Sequence, residues 1–370
     1  MQRGVRFLRV LQRQAARYIN VQKFSTALFI LWRRGIRYVT LQGGEPLLHP
    51  DIVRLVSLTA ASGISCGVIT NGWFLSREID RLAAAGLSRL VISLDSADLR
   101  DHERNRGLEG LESRIVEGIA RAHAHGLPVQ ASVTVSRLIR YEALPDTLRR
   151  LGFDNVSFSY PRRAPFGSSS LVYDEESELI DLERDELLEA LTAIRRLKTH
   201  FPVFNPTASL DEVARYVRGE KQAIPCIGGY KYFYVDWNLD IWRCEAWPQS
   251  MGSVFDFDQL PDQREPCNAC MMACYRNASA LMHAAVAGGD AVRALATGHA
   301  GHAVALLFQR GVAQSLWALI EELPNMRQDA IRRKSTRIAP EPVAFGKRPR
   351  PKQAVLRRFR TSNTEESRPL

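Results

Sequence analysis

Tyr38-Val39-Thr40-Leu41-Gln42-Gly43-Gly44-Glu45-Pro46-Leu47-Leu48-His49-Pro50-Asp51 is the stretch that decides how this chain folds. The apolar run at residues 36–41 predicts a strand. Gly43-Gly44 let the backbone leave that strand through conformations other residues resist, and Pro50-Asp51 open a helix. Glu45 is thereby held at the carboxyl end of a strand, the end at which parallel α/β folds bind their ligands.

The same rhythm recurs on both sides. Upstream, Phe24, Leu28, Leu31 and Trp32 take a helical spacing over residues 21–34, with Gly35 placed as a C-terminal cap. Downstream, strands are predicted at 64–70, closed by Asn71-Gly72, and at 89–95, with Ser93 and Asp95 toward its end. Two more follow at 128–135 and 156–160. Helices are predicted at 51–61, 76–85 with Ser76 as the cap, 108–125, 142–151 and 181–198. Strands alternating with helices in this way imply a parallel sheet with right-handed crossovers. The fold class is therefore α/β, an open or closed barrel in which Glu45, Thr70, Asn71, Ser93, Asp95, Thr134 and Tyr160 share one rim.

After residue 201 the pattern changes to Pro202, Pro206 and Pro225, then to a β-rich segment whose runs 230–236 and 239–242 are joined by Trp237-Asn238 as a hairpin. Cys226 and Cys244 flank it, and Cys267-Asn268-Ala269-Cys270-Met271-Met272-Ala273-Cys274 follows, leading into a helical stretch to about residue 325. Five of six cysteines thus crowd into about fifty residues, and clustered thiols in a reducing compartment point to metal. Cys66, inside an apolar run, reads as a small hydrophobe, and His49, His123 and His125 as surface or packing residues.

The chain has 370 residues, 45% hydrophobic and 24% charged, the composition of a soluble globular protein. No apolar run approaches a membrane span, and the first twenty residues lack the apolar core of a secretory signal; a cytoplasmic location is expected. The formal charge of +10 sits at the ends. Arg3, Arg6, Arg9, Arg13 and Arg17 open the chain, and residues 332–368 hold twelve Lys/Arg against three Glu. Such ends are read as solvated, with nucleic acid disfavoured as a partner. Composition beyond residue 327 predicts a disordered tail.

Gly43-Gly44-Glu45-Pro46, then Thr70-Asn71-Gly72, then Ser93-x-Asp95 on successive strands resemble the radical S-adenosylmethionine (SAM) superfamily. The resemblance covers about residues 21–198, and more weakly to 279. It implies a partial (β/α)6 TIM-like barrel over 21–200, preceded by an atypical Arg-rich N-terminus at 1–20. A C-terminal Cys-rich auxiliary domain over 201–290, a helical part over 291–327 and a disordered basic tail at 328–370 complete the expected organisation. It implies SAM as cofactor, held by Gly43, Gly44, Glu45 and Pro46, with Thr70, Asn71, Ser93, Asp95, Thr134, Ser136, Arg137 and Tyr160 lining its site. A charge-assisted bond from the SAM ammonium needs a fixed acceptor such as Glu45.

The superfamily holds its catalytic four-iron cluster on a CxxxCxxC loop ahead of the GGEP segment, and Cys66 is the first cysteine of this sequence. The expectation is either that the chain starts late or that the SAM pocket persists without its initiator. Catalytic residues are accordingly not assigned. Cys226, Cys244, Cys267, Cys270 and Cys274 resemble the auxiliary-cluster extension called SPASM or twitch. Seventeen residues separate Cys226 from Cys244, and Leu239 stands where that extension carries a glycine. One auxiliary 4Fe–4S cluster is implied, with a four-cysteine zinc site as the alternative. The implied activity is radical modification of a peptide or small metabolite, served by a reductant protein. The alternative is a catalytically inactive iron–sulfur or zinc binding module.

Overall fold

The computed structural model describes residues 18–161, 178–265, 267 and 270–335. Helix α1 (Val21–Arg33) is capped by Asn20, whose side chain accepts from Lys23 N. Strands β1 (Tyr38–Leu41), β2 (Ser65–Thr70), β3 (Leu87–Ser93), β4 (Val129–Thr134) and β5 (Asn155–Ser159) form one sheet in the order β1-β2-β3-β4-β5. All four neighbouring pairs are parallel. Helices α2 (Ile52–Ala61), α3 (Leu75–Ala84), α4 (Leu99–Arg106), α5 (Leu111–Ala124), α6 (Leu144–Leu151) and α7 (Arg184–Leu197) provide the crossovers, as parallel pairing demands. A single parallel bridge from Val156 to Val203 extends the sheet beyond β5.

The apolar runs of β2 to β5 are buried against the helices, whereas β1 at the sheet edge is only partly buried. Val68, Leu90, Ile92, Ala131, Val133 and Phe158 pack in one core with Leu75, Ile79, Leu82, Ile115, Ile119, Leu144 and Leu148 from the helices. Each such side chain contributes about 1.5–3 kcal/mol of burial. Gly72 closes β2 at a φ of +87°, and a Cβ there would meet Ile115 at 2.8 Å, so this turn admits nothing larger.

Several boundaries differ from the sequence expectation. Helix α3 begins at Leu75 with Phe74 at its cap, so Ser76 lies inside it. The stretch expected as one helix over 108–125 is preceded by a separate helix, α4, whose Asp98 accepts from Arg100 N and Asp101 N. Helix α8 (Thr207–Val217) lies between Pro202 and Pro225, where no helix is predicted from the sequence; Pro206 stands at its cap, where proline costs no hydrogen bond.

The hairpin is present as β6 (Tyr234–Val235) and β7 (Asp240–Trp242), extended by β8 (Ser250–Ser253) into an antiparallel three-stranded sheet. It packs on α1 through a second core of Phe24, Leu28, Leu31, Leu55, Ile64, Leu239, Ile241, Val254 and Phe257. Leu239 has a φ of +69°, the left-handed conformation of a glycine, while its side chain is buried in that core. The C-terminal stretch breaks into α9 (Ala273–Ala296), α10 (Ala300–Leu307) and α11 (Arg310–Ser335). Helix α11 runs to Ser335, past the boundary expected at residue 327; residues 1–17 and 336–370 lie outside those described. Among the described residues no single helix is long and apolar enough to cross a membrane.

Candidate functional site

The carboxyl ends of the parallel strands bring together most of the rim residues expected from sequence. Glu45, buried beyond Gly43-Gly44, caps a 3₁₀ turn at Pro46–Leu48. Its Oε1 accepts from Leu47 N at 3.0 Å and from Thr70 Oγ1 at 2.7 Å, and its Oε2 accepts from Asn71 N at 2.7 Å. One carboxylate therefore ties the end of β1 to the end of β2. Burial raises its pKa, while hydrogen bonds from Asn71, Thr70 and Leu47 and the charge of Arg106 pull the other way. Among the described residues three donors take three of its roughly four acceptor positions, two on Oε1 and one on Oε2.

Asp95 just beyond β3 is also buried. Arg106 grips it in a fork, Nε to Oδ2 at 2.7 Å and Nη2 to Oδ1 at 2.6 Å, and Asn105 Nδ2 donates to Oδ2 at 2.8 Å. Burial alone would raise its pKa, but the charge and hydrogen bonds of Arg106 hold it well below the ordinary carboxylate range. His102 is fully buried, its Nδ1 accepting from Asp95 N at 3.2 Å. Asp95 is thus occupied by its own helix α4.

The remaining rim residues are placed unequally. Ser93 ends β3 opposite Ser132 of β4. Thr134 and Ser159 share a hydroxyl–hydroxyl bond of 3.0 Å across β4 and β5. Tyr160 is buried and, like Tyr141, has a hydroxyl with no hydrogen-bond partner among the described residues. Burial pushes both phenols above their ordinary range. Ser136 Oγ accepts from Leu138 N at 3.3 Å. Arg137 turns away to a bidentate pair with Glu186, at 2.7 and 2.6 Å. His49 accepts from Asp51 N, while His123 and His125 pair with Asp154 and Asp80.

The cysteines gather near this rim. Gln42, the residue before Gly43, donates from Nε2 to Glu245 Oε1 at 3.0 Å, and Glu245 follows Cys244 directly. Met271 and Ala273 of the Cys-rich segment pack against the main sheet's core. Burial pushes the Cys244 thiol up to about 11, with Cys270, Cys226 and Cys267 close enough to oppose its ionisation further. Cys274 is exposed, yet crowding by protein, with the charges of Glu245 and Cys270, pushes its thiol well above the ordinary range. The donor set suits an iron–sulfur cluster or zinc. Among the described residues, no three His, Cys, Asp or Glu stand in metal-holding geometry. Among the described residues no three-thiolate set stands beside Glu45, and Cys66 is sealed inside β2 at 0% exposure.

Sequence reasoning missed Gln42, Glu245, Arg106, His102, Asn105, Tyr141 and Ser159. Contacts between distant segments reveal Gln42, Glu245 and Ser159, while His102, Asn105 and Arg106 reach Asp95 from the helix that follows it.

Residues 12–159 match the radical SAM superfamily. The chain carries a radical SAM domain. Among curated relatives, an AdoMet-dependent heme synthase of Methanosarcina barkeri is 37% identical over 98 residues, 26% of this chain and 28% of that protein. A probable GTP 3',8-cyclase of Pyrococcus abyssi is 30% identical over 145 residues, 39% of this chain and 47% of that protein. A PqqA peptide cyclase of Methylorubrum populi is 25% identical over 258 residues, 64% of this chain and 65% of that protein. The chain therefore spans from about a quarter to two thirds of the relatives it matches. Among solved structures, Streptococcus suis SuiB bound to S-adenosylmethionine aligns at a TM-score of 0.48 with 15% identity, covering 66% of this chain and 59% of that one. Around the radical SAM domain, the hairpin and the cysteines extend the chain beyond the matched segment.

Proposed function

We propose that this chain binds SAM at the carboxyl rim of its parallel sheet and belongs to a system that modifies a peptide or a small metabolite by radical chemistry. The observation that carries the reading is Glu45, buried beside Gly43-Gly44, fixed by Leu47, Thr70 and Asn71 and left with one acceptor position. An acceptor held by three donors keeps its direction when an ammonium arrives, so little ordering is needed on binding. Thr134, Ser159 and the unpartnered hydroxyl of Tyr160 supply further polar groups at the same end of the sheet. Arg137, bound to Glu186, takes no part.

Reductive SAM cleavage requires a cluster held by three thiolates, and the described residues beside Glu45 do not fit one. Cys226, Cys244, Cys267, Cys270 and Cys274 are the candidate ligands of a separate auxiliary 4Fe–4S cluster, with zinc as the alternative. Gln42 and Glu245 join that region to the rim, so a substrate bound between them would touch both. The similarity to PqqA peptide cyclases over more than half of this chain favours a peptide substrate.

Calorimetric titration of anaerobically purified protein with SAM is the test. Binding lost in Glu45→Ala and weakened in Glu45→Gln, whose amide would present a donor to an N–H, is the expected result. Wild-type protein that takes up no SAM would overturn it. Iron, sulfide and zinc analysis of the same sample addresses the cysteines. About four irons per chain, lost in a Cys270→Ser/Cys274→Ser variant, support the cluster, whereas about one zinc replaces it with the alternative.

A further inference from the structure

Helix α11 is turned the wrong way for a helix facing water. Both carboxylates of its first four turns point inward: Glu321 accepts from Thr207 N at 2.9 Å and Oγ1 at 2.7 Å and pairs with Lys198 at 2.6 Å, and Glu322 is 1% exposed. Its outward face carries Leu316, Trp317, Ile320 and Leu323, which are 52%, 64%, 56% and 43% exposed. Their spacing of three and four places them on one side of the helix. Phe308, in the break just before α11, is 85% exposed. Scattered apolar residues need no explanation, but a continuous face with its acids withdrawn does.

The sequence that follows says what covers it. From the last turn of α11 onward the sequence at 332–368 carries twelve Lys/Arg against three Glu, interleaved with Phe345, Val355, Leu356 and Phe359. A face with Trp and Leu leading into a basic segment is the chemistry of a helix lying in the interface of an acidic bilayer, with the aromatic rings at headgroup depth and the cations on lipid phosphates. A second copy of the chain is disfavoured as occupant, because pairing these faces side by side would bring two strongly basic segments together.

We propose that the exposed apolar face of α11 docks this protein peripherally on membranes containing acidic phospholipid, the basic charge that follows it in the sequence favouring the acidic lipid. The reading is independent of the SAM site. The test is co-sedimentation of the full chain with vesicles of phosphatidylcholine, alone or mixed with phosphatidylserine. Binding to the mixed vesicles only, weakened when salt is raised from about 0.15 to 1 M, is expected. A Trp317→Ser/Ile320→Ser variant and an Arg357→Glu/Arg358→Glu/Arg360→Glu variant should each bind at least about tenfold more weakly. Circular dichroism checks that both fold; Trp317 and Ile320 are exposed, so the first substitution removes little packing. Three results overturn the proposal: no binding of the wild type, undiminished binding of both variants, or a stable dimer that Trp317→Ser/Ile320→Ser dissolves.

Discussion

Leu239 combines two demands that conflict: a left-handed backbone, which costs a residue with a Cβ about 1–2 kcal/mol, and a side chain at 2% exposure in the core beneath α1. Truncation is expected to cost about 2–5 kcal/mol, and the usual order of substitutions should invert. Leu239→Gly escapes the backbone strain that Leu239→Ala keeps, so denaturant unfolding should find the glycine variant about 1 kcal/mol the more stable. Asp95 supports a prediction in pH. Its folded pKa is depressed, so its pairing with Arg106 stabilises the protein above its ordinary value near 3.8 and that contribution is lost as pH falls below it. Asp95→Asn should unfold more easily at neutral pH and show a shallower loss of stability between about pH 5 and 2. The pairing of Glu45 with the Thr70-Asn71 end was legible in sequence as a shared rim. The grip of Arg106 on Asp95 was not, because both lie in a charged stretch whose one buried face is marked only by Leu99 and His102.

Among the elements, α3 and α5 meet at a point set by one residue. A Cβ on Gly118 would lie 2.5 Å from Leu75 Cγ and Cδ2 and 3.1 Å from its Cβ. Alanine is the better helix former by about 1 kcal/mol, but here the overlap should outweigh that gain. Gly118→Ala is expected to destabilise by about 1–2 kcal/mol, with Gly118→Ala/Leu75→Ala closer to additive relief of the clash than to the sum of two losses, as a double-mutant cycle would measure. Most strands and crossovers could be read from the sequence because each apolar run is closed by glycine or by a polar pair: Asn71-Gly72 after β2, Gly86 before β3, Gly126 before β4. Helix α8 could not. Pro202 and Pro206 announce a break, and nothing local distinguishes a proline that ends structure from one that begins a helix.

Across the whole molecule, two cores divide the work. One joins the sheet to its helices, and the other clamps α1 between β1's side of the sheet and the Cys-rich hairpin. The hairpin between Cys226 and Cys244 was legible in the sequence, but not that α1 and the hairpin share a core, since a contact between residues more than two hundred apart leaves no periodic trace. The sealed thiol of β2 turns this arrangement into a clock. Cys66 has no exposed surface, and burial pushes its pKa up to about 12. At neutral pH it can be alkylated only while the sheet itself is open. The other five sulfurs lie in loops or at the start of α9, and without metal they should react with iodoacetamide ahead of it. In mass spectra of pulse-labelled protein the sixth adduct should therefore appear alone and late, at a rate that follows global unfolding as denaturant is added. Labelling of Cys66 in step with the other five would show that β2 opens without the rest of the sheet.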